Sequence, residues 1–215
     1  MQNFKYVNQY KKSGKKSHID SFVLLSNSPR RKELLAFLNP SIQSVEIDER
    51  AIEDHFMKVY EKDSFIEKAA KTCCEISMGK SDMDLEEGKM YISSDTIVIH
   101  NDQIYNKPQS KDEARDMFLS YFGKKHYVVT SVCLRMKGYL DVFYTIAQVE
   151  FVEYYDQLEK AIDDYLESGS PMDKAGAYGI QELDPRFVKS IEGDIHTIIG
   201  LPVAEVSKRI FNKTA

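Results

Sequence analysis

One aspartate stands inside a stretch that otherwise predicts a β-strand. Residues 90–100 are rich in Ile and Val, yet Ser93-Ser94-Asp95-Thr96 lies in their middle. Aspartate is depleted in strand interiors, and burying an unpaired carboxylate costs free energy, so Asp95 must be exposed, hydrogen-bonded or paired with a cation. Two interpretations follow. Asp95 lies on the solvated face of an edge strand, or it holds a hard divalent cation whose bound water becomes a nucleophile.

Two arginines follow the first predicted strand at the start of a helix. The apolar run 22–25 predicts a short buried strand, Ser28 is a suitable N-cap and Pro29 suits the first helical position. Arg30 and Arg31 then fall in the first turn, where the helix dipole disfavours cations. An anion such as phosphate at the helix end would explain them. The alternative is that both arginines extend into solvent.

A glycine- and alanine-containing run near the C-terminus predicts a compact loop. Residues 170–181 include two glycines and a proline, so their backbone can approach a ligand closely. Lys174 offers a positive charge for phosphate, and Gln181 can donate and accept hydrogen bonds in one plane, as base recognition requires. The alternative is a purely structural turn.

Composition narrows the class of protein. The chain has 215 residues, 42% of them hydrophobic, and a net charge of -5, which disfavours binding to nucleic acid. Three cysteines without a Cys-x-x-Cys pair suit a reducing compartment rather than a disulfide framework or a zinc site. The sequence shows no signal peptide and no apolar run long enough for a membrane span. We therefore expect a cytoplasmic protein without a membrane partner.

Alternating helix and strand patterns predict an α/β fold around a mixed sheet. Residues 1–21 are polar and Lys-rich and are expected to form a solvated or partly helical extension, the alternative being an anchor for nucleic acid or membrane. Residues 22–215 are expected to form a single domain. His126 is interpreted as a hydrogen-bonding residue at a strand end rather than as a catalyst. The remaining patterns predict a strand over 42–47, helices from Ser64, Ser110 and Asp156, a loop over 79–89, and a hairpin of strands 127–136 and 139–152.

Three motifs in this order resemble the Maf family of septum-formation-associated nucleoside triphosphate pyrophosphatases. They are Ser-x-Ser-Pro-Arg-Arg-x-Glu-Leu-Leu at 26–35, the Asp95 strand with Ser94 where the family has alanine, and Asp-Lys-Ala-Gly-Ala-Tyr-Gly-Ile-Gln at 173–181. The resemblance covers about residues 22–211. It implies an elongated, two-lobed mixed β-sheet flanked by helices, a nucleotide cleft between the lobes, and a homodimer as a frequent state.

The resemblance also implies an activity. Family members hydrolyse a nucleoside triphosphate at the α-phosphorus to the monophosphate and pyrophosphate, a house-cleaning reaction that keeps unwanted nucleotides from polymerases. Arg30, Thr96 and Gln181 match the branch that acts on dTTP and UTP, including modified pyrimidine nucleotides, rather than the sister branch that acts on 7-methyl-GTP.

Site residues follow from the same resemblance. Asp95 is the expected general base or metal-linked acid, and Glu49, with Asp48 as the alternative, is expected to join it in holding Mg²⁺ or Mn²⁺ at the end of the 42–47 strand. The resemblance assigns substrate binding to Ser26, Ser28, Arg30, Arg31, Lys68, Thr96, Lys107, Lys174 and Gln181.

One segment departs from the family pattern. Glu182-Leu183-Asp184-Pro185 stands where the family usually has glycines, so this loop must differ in backbone conformation and adds acid near the expected base pocket. Two other functions compete with the enzyme: a nucleotide-binding regulator of septum formation without significant turnover, and a nucleic-acid module built on the Lys-rich N-terminus.

Overall fold

The computed structural model describes residues 5–212, which contain eight β-strands and seven α-helices. The chain divides into two compact units. Strands β4, β6 and β7 contribute residues to both units. The strands are β1 Val7–Gly14, β2 Ser21–Leu25, β3 Ser41–Gln43, β4 Lys89–His100, β5 Gln103–Tyr105, β6 Lys125–Met136, β7 Tyr139–Phe151 and β8 Val188–Glu192. The helices are α1 Pro29–Leu34, α2 Glu49–Val59, α3 Phe65–Gly79, α4 Lys111–Ser120, α5 Glu159–Glu167, α6 Ile195–Ile199 and α7 Val203–Phe211.

Unit 1 comprises residues up to 95, 130–145 and 200 onward. Its strand order is β1-β7-β6-β4-β2-β3. Strand β2 runs parallel to β3 and β4, whereas β1 runs antiparallel to β7, so the sheet is mixed as predicted. Because β4 lies between β2 and β6, the edge-strand interpretation of the Asp95 strand is wrong.

The predicted N-terminal extension is partly a strand. Residues 1–4 of it lie outside the described part of the chain, but β1 pairs with β7 from Val7 opposite Thr145 to Gly14 opposite Tyr139. Further along, Lys16 Nζ donates to the carbonyl oxygens of Arg209 at 2.9 Å and Ile210 at 2.5 Å, at the end of α7. The expectation of a partly helical segment is therefore wrong, whereas most of its described residues are exposed, as a solvated extension requires. The strand gives a weak hydrophobic signal because it covers a sheet edge and buries none of its residues completely.

The region after α1 also differs from its prediction. Strand β3 ends at Gln43, four residues short of the expected end, and α2 begins at Glu49. Asp48 is the N-cap of α2, and its carboxylate accepts a hydrogen bond from the backbone N–H of Ala51 at 2.9 Å. Helix α2 packs on α3 without burying any residue completely. Its apolar residues Ile52, Phe56 and Val59 recur at helical spacing, so a sequence signal for this helix did exist.

The core of unit 1 encloses one ionic cluster. Asp141 on β7 is 1% exposed and accepts hydrogen bonds from Arg209 Nη1 at 2.7 Å and Gln9 Nε2 at 2.9 Å. Arg209 also lies over the ring of Phe143, 4.0 Å from its centroid, and pairs with Glu205. The surrounding apolar core consists of Leu24, Leu35, Met90, Ile92, Val132, Leu134, Leu201, Val206 and Ile210 among others.

Unit 2 comprises residues 96–129 and 146–199. Here β5 pairs antiparallel with β4, and β8 pairs antiparallel with β7. The core is rich in aromatic side chains, among them Phe118, Tyr121, Phe151, Tyr178 and Phe187. Across residues 5–212, the structure offers no helix of the length and apolarity that crossing a bilayer requires.

His126 lies within the aromatic core of unit 2. It is 1% exposed, and its Nε2 lies 2.7 Å from the hydroxyl of Tyr178. The interpretation of His126 as a hydrogen-bonding residue is confirmed. Burial, with a smaller contribution from nearby His100, lowers the pKa of His126 to about 3.

We expect His126 to make the fold acid-sensitive. Below the ordinary histidine pKa of 6.5, His126 of the unfolded chain binds a proton, whereas His126 of the folded chain stays neutral down to about pH 3. The free energy of unfolding therefore falls as pH falls. In His126→Gln the pH dependence should be shallower by up to about 1.4 kcal/mol per pH unit between pH 6 and 4. Urea unfolding at several pH values measures it. If the free energy of unfolding changed with pH equally in wild type and variant, the lowered pKa of His126 would be contradicted.

Candidate active site

Asp95 lies in the interior of β4 with both carboxylate oxygens engaged. It is 9% exposed. Its Oδ1 accepts a hydrogen bond from Lys80 Nζ at 3.0 Å, and its Oδ2 accepts one from Cys73 Sγ at 3.5 Å. The requirement deduced from the sequence, that this carboxylate be hydrogen-bonded or paired, is met within unit 1.

Like Cys73, Lys80 is a residue of this site that the sequence prediction missed. It caps the C-terminus of α3, at the start of the segment expected to be a polar loop. Its ammonium group donates to Asp95 Oδ1, to Glu49 Oε1 at 2.8 Å and to the carbonyl oxygen of Ser94 at 3.3 Å. Burial lowers the pKa of Lys80, but the charges of Asp95 and Glu49 outweigh burial and leave the pKa above the ordinary lysine value.

A sequence signal for Lys80 did exist. Cys73, Ile76 and Lys80 follow one another at helical spacing, so Lys80 continues the buried stripe of α3. By contrast Lys68, the lysine expected to serve the substrate, lies in the first turns of α3 with its Nζ 4.9 Å from the ring centroid of Phe65. From this helix, Lys80 rather than Lys68 contacts Asp95.

Glu49, rather than Asp48, is linked to Asp95, because both carboxylates bind the ammonium group of Lys80. Glu49 is the first residue of α2, not the end of a strand, and its side chain is 53% exposed. Lys80 joins the two carboxylates through one ammonium group. The Asp48 carboxylate instead caps α2.

The two arginines of α1 have different surroundings. Ser28 caps this six-residue helix as predicted, accepting from the N–H of Arg31 at 3.5 Å, and Ser26 Oγ accepts from the N–H of Ser28 at 3.1 Å. Arg31 donates from Nε to the carbonyl oxygen of Gly200 and from Nη1 to that of Ser94, both at 2.9 Å. Burial lowers the pKa of Arg31, against the opposing charge of Asp95. Arg31 is thus bonded to the backbone beside Asp95, and Arg30 is half-buried.

In unit 2 the predicted compact loop holds Lys174 in an ionic cluster. Lys174 is 5% exposed, and its Nζ donates to the carbonyl oxygen of Ser170 at 2.7 Å and to Asp173 at 2.8 Å, and pairs with Glu182 at 3.0 Å. Glu182 belongs to the segment that departs from the family pattern. Lys174 is expected to offer a positive charge to phosphate, and in the structure this charge is paired with Asp173 and Glu182.

Other contacts fix this loop. Gly176 adopts a φ of +70°, and a Cβ there would lie 2.7 Å from the hydroxyl of Tyr121, so glycine is required. Tyr121 donates to the carbonyl oxygen of Gly176 at 2.9 Å, and Tyr165 accepts from the N–H of Gly179 at 3.0 Å. The three other predicted substrate residues of unit 2 are Thr96, which is half-buried, and Lys107 and Gln181, which are exposed.

The acids of this site have the chemistry that a divalent cation requires, but not the arrangement. Two carboxylates, Asp95 and Glu49, are the oxygen donors that Mg²⁺ or Mn²⁺ prefers. However, the ammonium of Lys80 is bonded to both. Within residues 5–212 no group of three or more His, Cys, Asp or Glu side chains could hold a metal ion. The residue types suit the cation, but their arrangement in unit 1 holds Lys80 between them.

Comparison with known proteins decides the family. A family model described as Maf-like protein matches residues 21–212. The chain belongs to the Maf family. It is 34% identical over 195 residues to a dTTP/UTP pyrophosphatase of Thermotoga maritima, and the match covers 89% of this chain and 88% of the relative. It is 36% identical over 186 residues to a dTTP/UTP pyrophosphatase of Pasteurella multocida, covering 86% and 91%. The resemblance carried by the three motifs is confirmed for this Maf protein, and so is the α/β fold class predicted from the alternating helices and strands.

Proposed function

We propose that this Maf protein hydrolyses dTTP and UTP, together with modified pyrimidine nucleotides, to the nucleoside monophosphate and pyrophosphate. The observation that carries the proposal is the match over most of both chains to relatives named dTTP/UTP pyrophosphatase. Arg30, Thr96 and Gln181, the three residues that indicate this branch, are all present. The physiological role is the removal of nucleotides before polymerases incorporate them.

In the proposed reaction a water oxygen bonds to the α-phosphorus while the bond from that phosphorus to the bridging oxygen of the β-phosphate breaks. Pyrophosphate leaves, and Asp95 accepts the proton of the water. The support for Asp95 as base is its buried carboxylate, which is held in one orientation by Lys80 and Cys73. Such fixed orientation lowers the entropic part of the barrier.

Positive charge for the triphosphate is proposed to come from several side chains. Arg31 and Lys80 lie beside Asp95, and their backbone and carboxylate partners keep them in place. When bound, Mg²⁺ or Mn²⁺ supplies further neutralisation of the phosphate charge. Nucleotide binding is further assigned to Ser26, Ser28, Arg30, Lys68, Thr96, Lys107, Lys174 and Gln181.

The location and assembly are also proposals. A reducing compartment such as the cytoplasm suits Cys73, Cys74 and Cys133, which are buried and form no disulfide. A homodimer is proposed from the family resemblance. Light scattering on the purified protein measures its molecular mass. The mass of a monomer at all protein concentrations would contradict the proposed homodimer.

Glu182→Gly is expected to lower KM for dTTP by about two- to fivefold, the range that one partly exposed ion pair supports. The reason is that Glu182 pairs with Lys174 at 3.0 Å and competes with phosphate for its ammonium. Steady-state kinetics measures this. Asp184→Asn is the control, since Asp184 pairs with Arg186 instead. An unchanged KM in Glu182→Gly would show that Lys174 does not bind the phosphates of the substrate.

Base preference is tested by pyrophosphate release from dTTP, UTP, dCTP, GTP and 7-methyl-GTP. The wild type is expected to prefer dTTP and UTP, and Gln181→Ala to lose about tenfold or more of that preference, as removal of a hydrogen-bonding pair does. Gln103→Ala is the matched control, since Gln103 is an exposed glutamine on β5 of the same unit. Equal turnover of all five nucleotides would contradict the proposed specificity. No turnover by folded protein would favour the binding-only regulator.

A further inference from the structure

All three N–H donors of the Lys80 ammonium group are engaged, two of them by the carboxylates expected to hold a metal ion. An ammonium group has three N–H donors, and Lys80 has three acceptors: Glu49 at 2.8 Å, Asp95 at 3.0 Å and the carbonyl oxygen of Ser94 at 3.3 Å. Its side chain is 11% exposed. Lys80 therefore lies in a built site rather than on the surface.

The carboxylates around Lys80 are already neutralised by cations. Asp95 and Glu49 contribute two negative charges, Lys80 is bonded to both, and Arg31 and Arg30 contribute further positive charge nearby. A divalent cation added to this cluster would face two cations at close range. The attraction that draws Mg²⁺ or Mn²⁺ to a pair of carboxylates is thus largely cancelled in the free protein.

We propose that Lys80 is an internal cation that occupies the divalent-metal position between Asp95 and Glu49 and keeps the free enzyme from holding a resident Mg²⁺ or Mn²⁺. The inference deepens the proposed function, since it rests on these two carboxylates being the metal-linked pair. It also gives Lys80 a positioning role, because the same ammonium fixes Asp95. A divalent ion can use the two carboxylates only after Lys80 gives up its bonds to them.

The test is the binding of Mn²⁺ alone, measured by electron paramagnetic resonance without nucleotide. Wild-type protein is expected to show no binding at micromolar Mn²⁺, whereas Lys80→Met should bind at least about tenfold more tightly because two carboxylates lose their internal cation. Lys80→Gln keeps a similar length without the charge and serves as the second variant. Lys71→Met is the control, since Lys71 lies on the same helix but pairs with Asp63 and Glu67.

Thermal unfolding gives a second readout. Mn²⁺ should raise the Tm of the Lys80 variants and leave those of the wild type and Lys71→Met unchanged. Tight Mn²⁺ binding by the wild type would overturn the proposal, and so would variants that bind no better than the wild type. Both readouts are independent of turnover, so loss of the proposed enzymatic function would not be mistaken for failure of this inference.

Discussion

Asp95→Asn is expected to lower kcat for dTTP by roughly a hundredfold or more, the contribution typical of a general base. Asparagine keeps the size of the side chain and an acceptor for the ammonium of Lys80, which lies 3.0 Å from Oδ1. It cannot take a proton from water. The change should therefore appear in kcat more than in KM, and steady-state pyrophosphate release measures both.

The control for this substitution is Asp82→Asn. Asp82 is exposed, and its carboxylate pairs with Arg135 at 3.4 Å. It should leave kcat within about twofold of wild type, as is usual for a surface substitution. Circular dichroism and urea unfolding establish that both variants are folded. A folded Asp95→Asn protein with near-wild-type kcat would remove Asp95 from the proton-accepting role.

Arg209→Met is expected to lower the free energy of unfolding by about 3 kcal/mol or more, because it leaves the buried Asp141 carboxylate with only the more distant and half-exposed Lys12, at 3.7 Å, as a countercharge. Asp141 is 1% exposed, and Arg209 Nη1 lies 2.7 Å from its Oδ1. The guanidinium also covers the ring of Phe143 and pairs with Glu205. Urea unfolding monitored by circular dichroism measures the loss.

Two further variants separate charge from packing. Lys208→Met changes the neighbouring residue, whose side chain is 65% exposed, and should cost less than about 1 kcal/mol. Combining Arg209→Met with Asp141→Asn removes both charges and should restore part of the stability. If Arg209→Met were as stable as Lys208→Met, the buried pair would contribute nothing measurable to the fold.

Local signals in the sequence predicted the parts of the fold that depend on neighbouring residues. The capping boxes at Ser64 and Ser110 indicated helix starts, and the structure shows both hydroxyls accepting from the N–H three residues ahead. Lys137-Gly138 indicated a hairpin, and Gly138 has the positive φ that such a turn requires. Asp95 was identified because an acid inside an apolar strand demands a partner.

The features that were missed depend on distant partners. Strand β1 is polar because it lies at a sheet edge, and only its pairing with β7 makes it a strand. Helix α2 is an exception, because Ile52, Phe56 and Val59 recur at helical spacing and do signal a helix. Lys80 looked like a loop residue because its partners, Glu49 and Asp95, are remote in sequence and meet only in the fold.

The most direct test of the proposed function is the position of bond cleavage in dTTP hydrolysed in ¹⁸O-labelled water. Attack on the α-phosphorus predicts one labelled oxygen in the thymidine monophosphate and none in the pyrophosphate, with both products formed in equal amounts. Mass spectrometry of the two products distinguishes this result. Label in pyrophosphate, or release of inorganic phosphate and thymidine diphosphate, would contradict the account of Asp95 as the base for attack at the α-phosphorus.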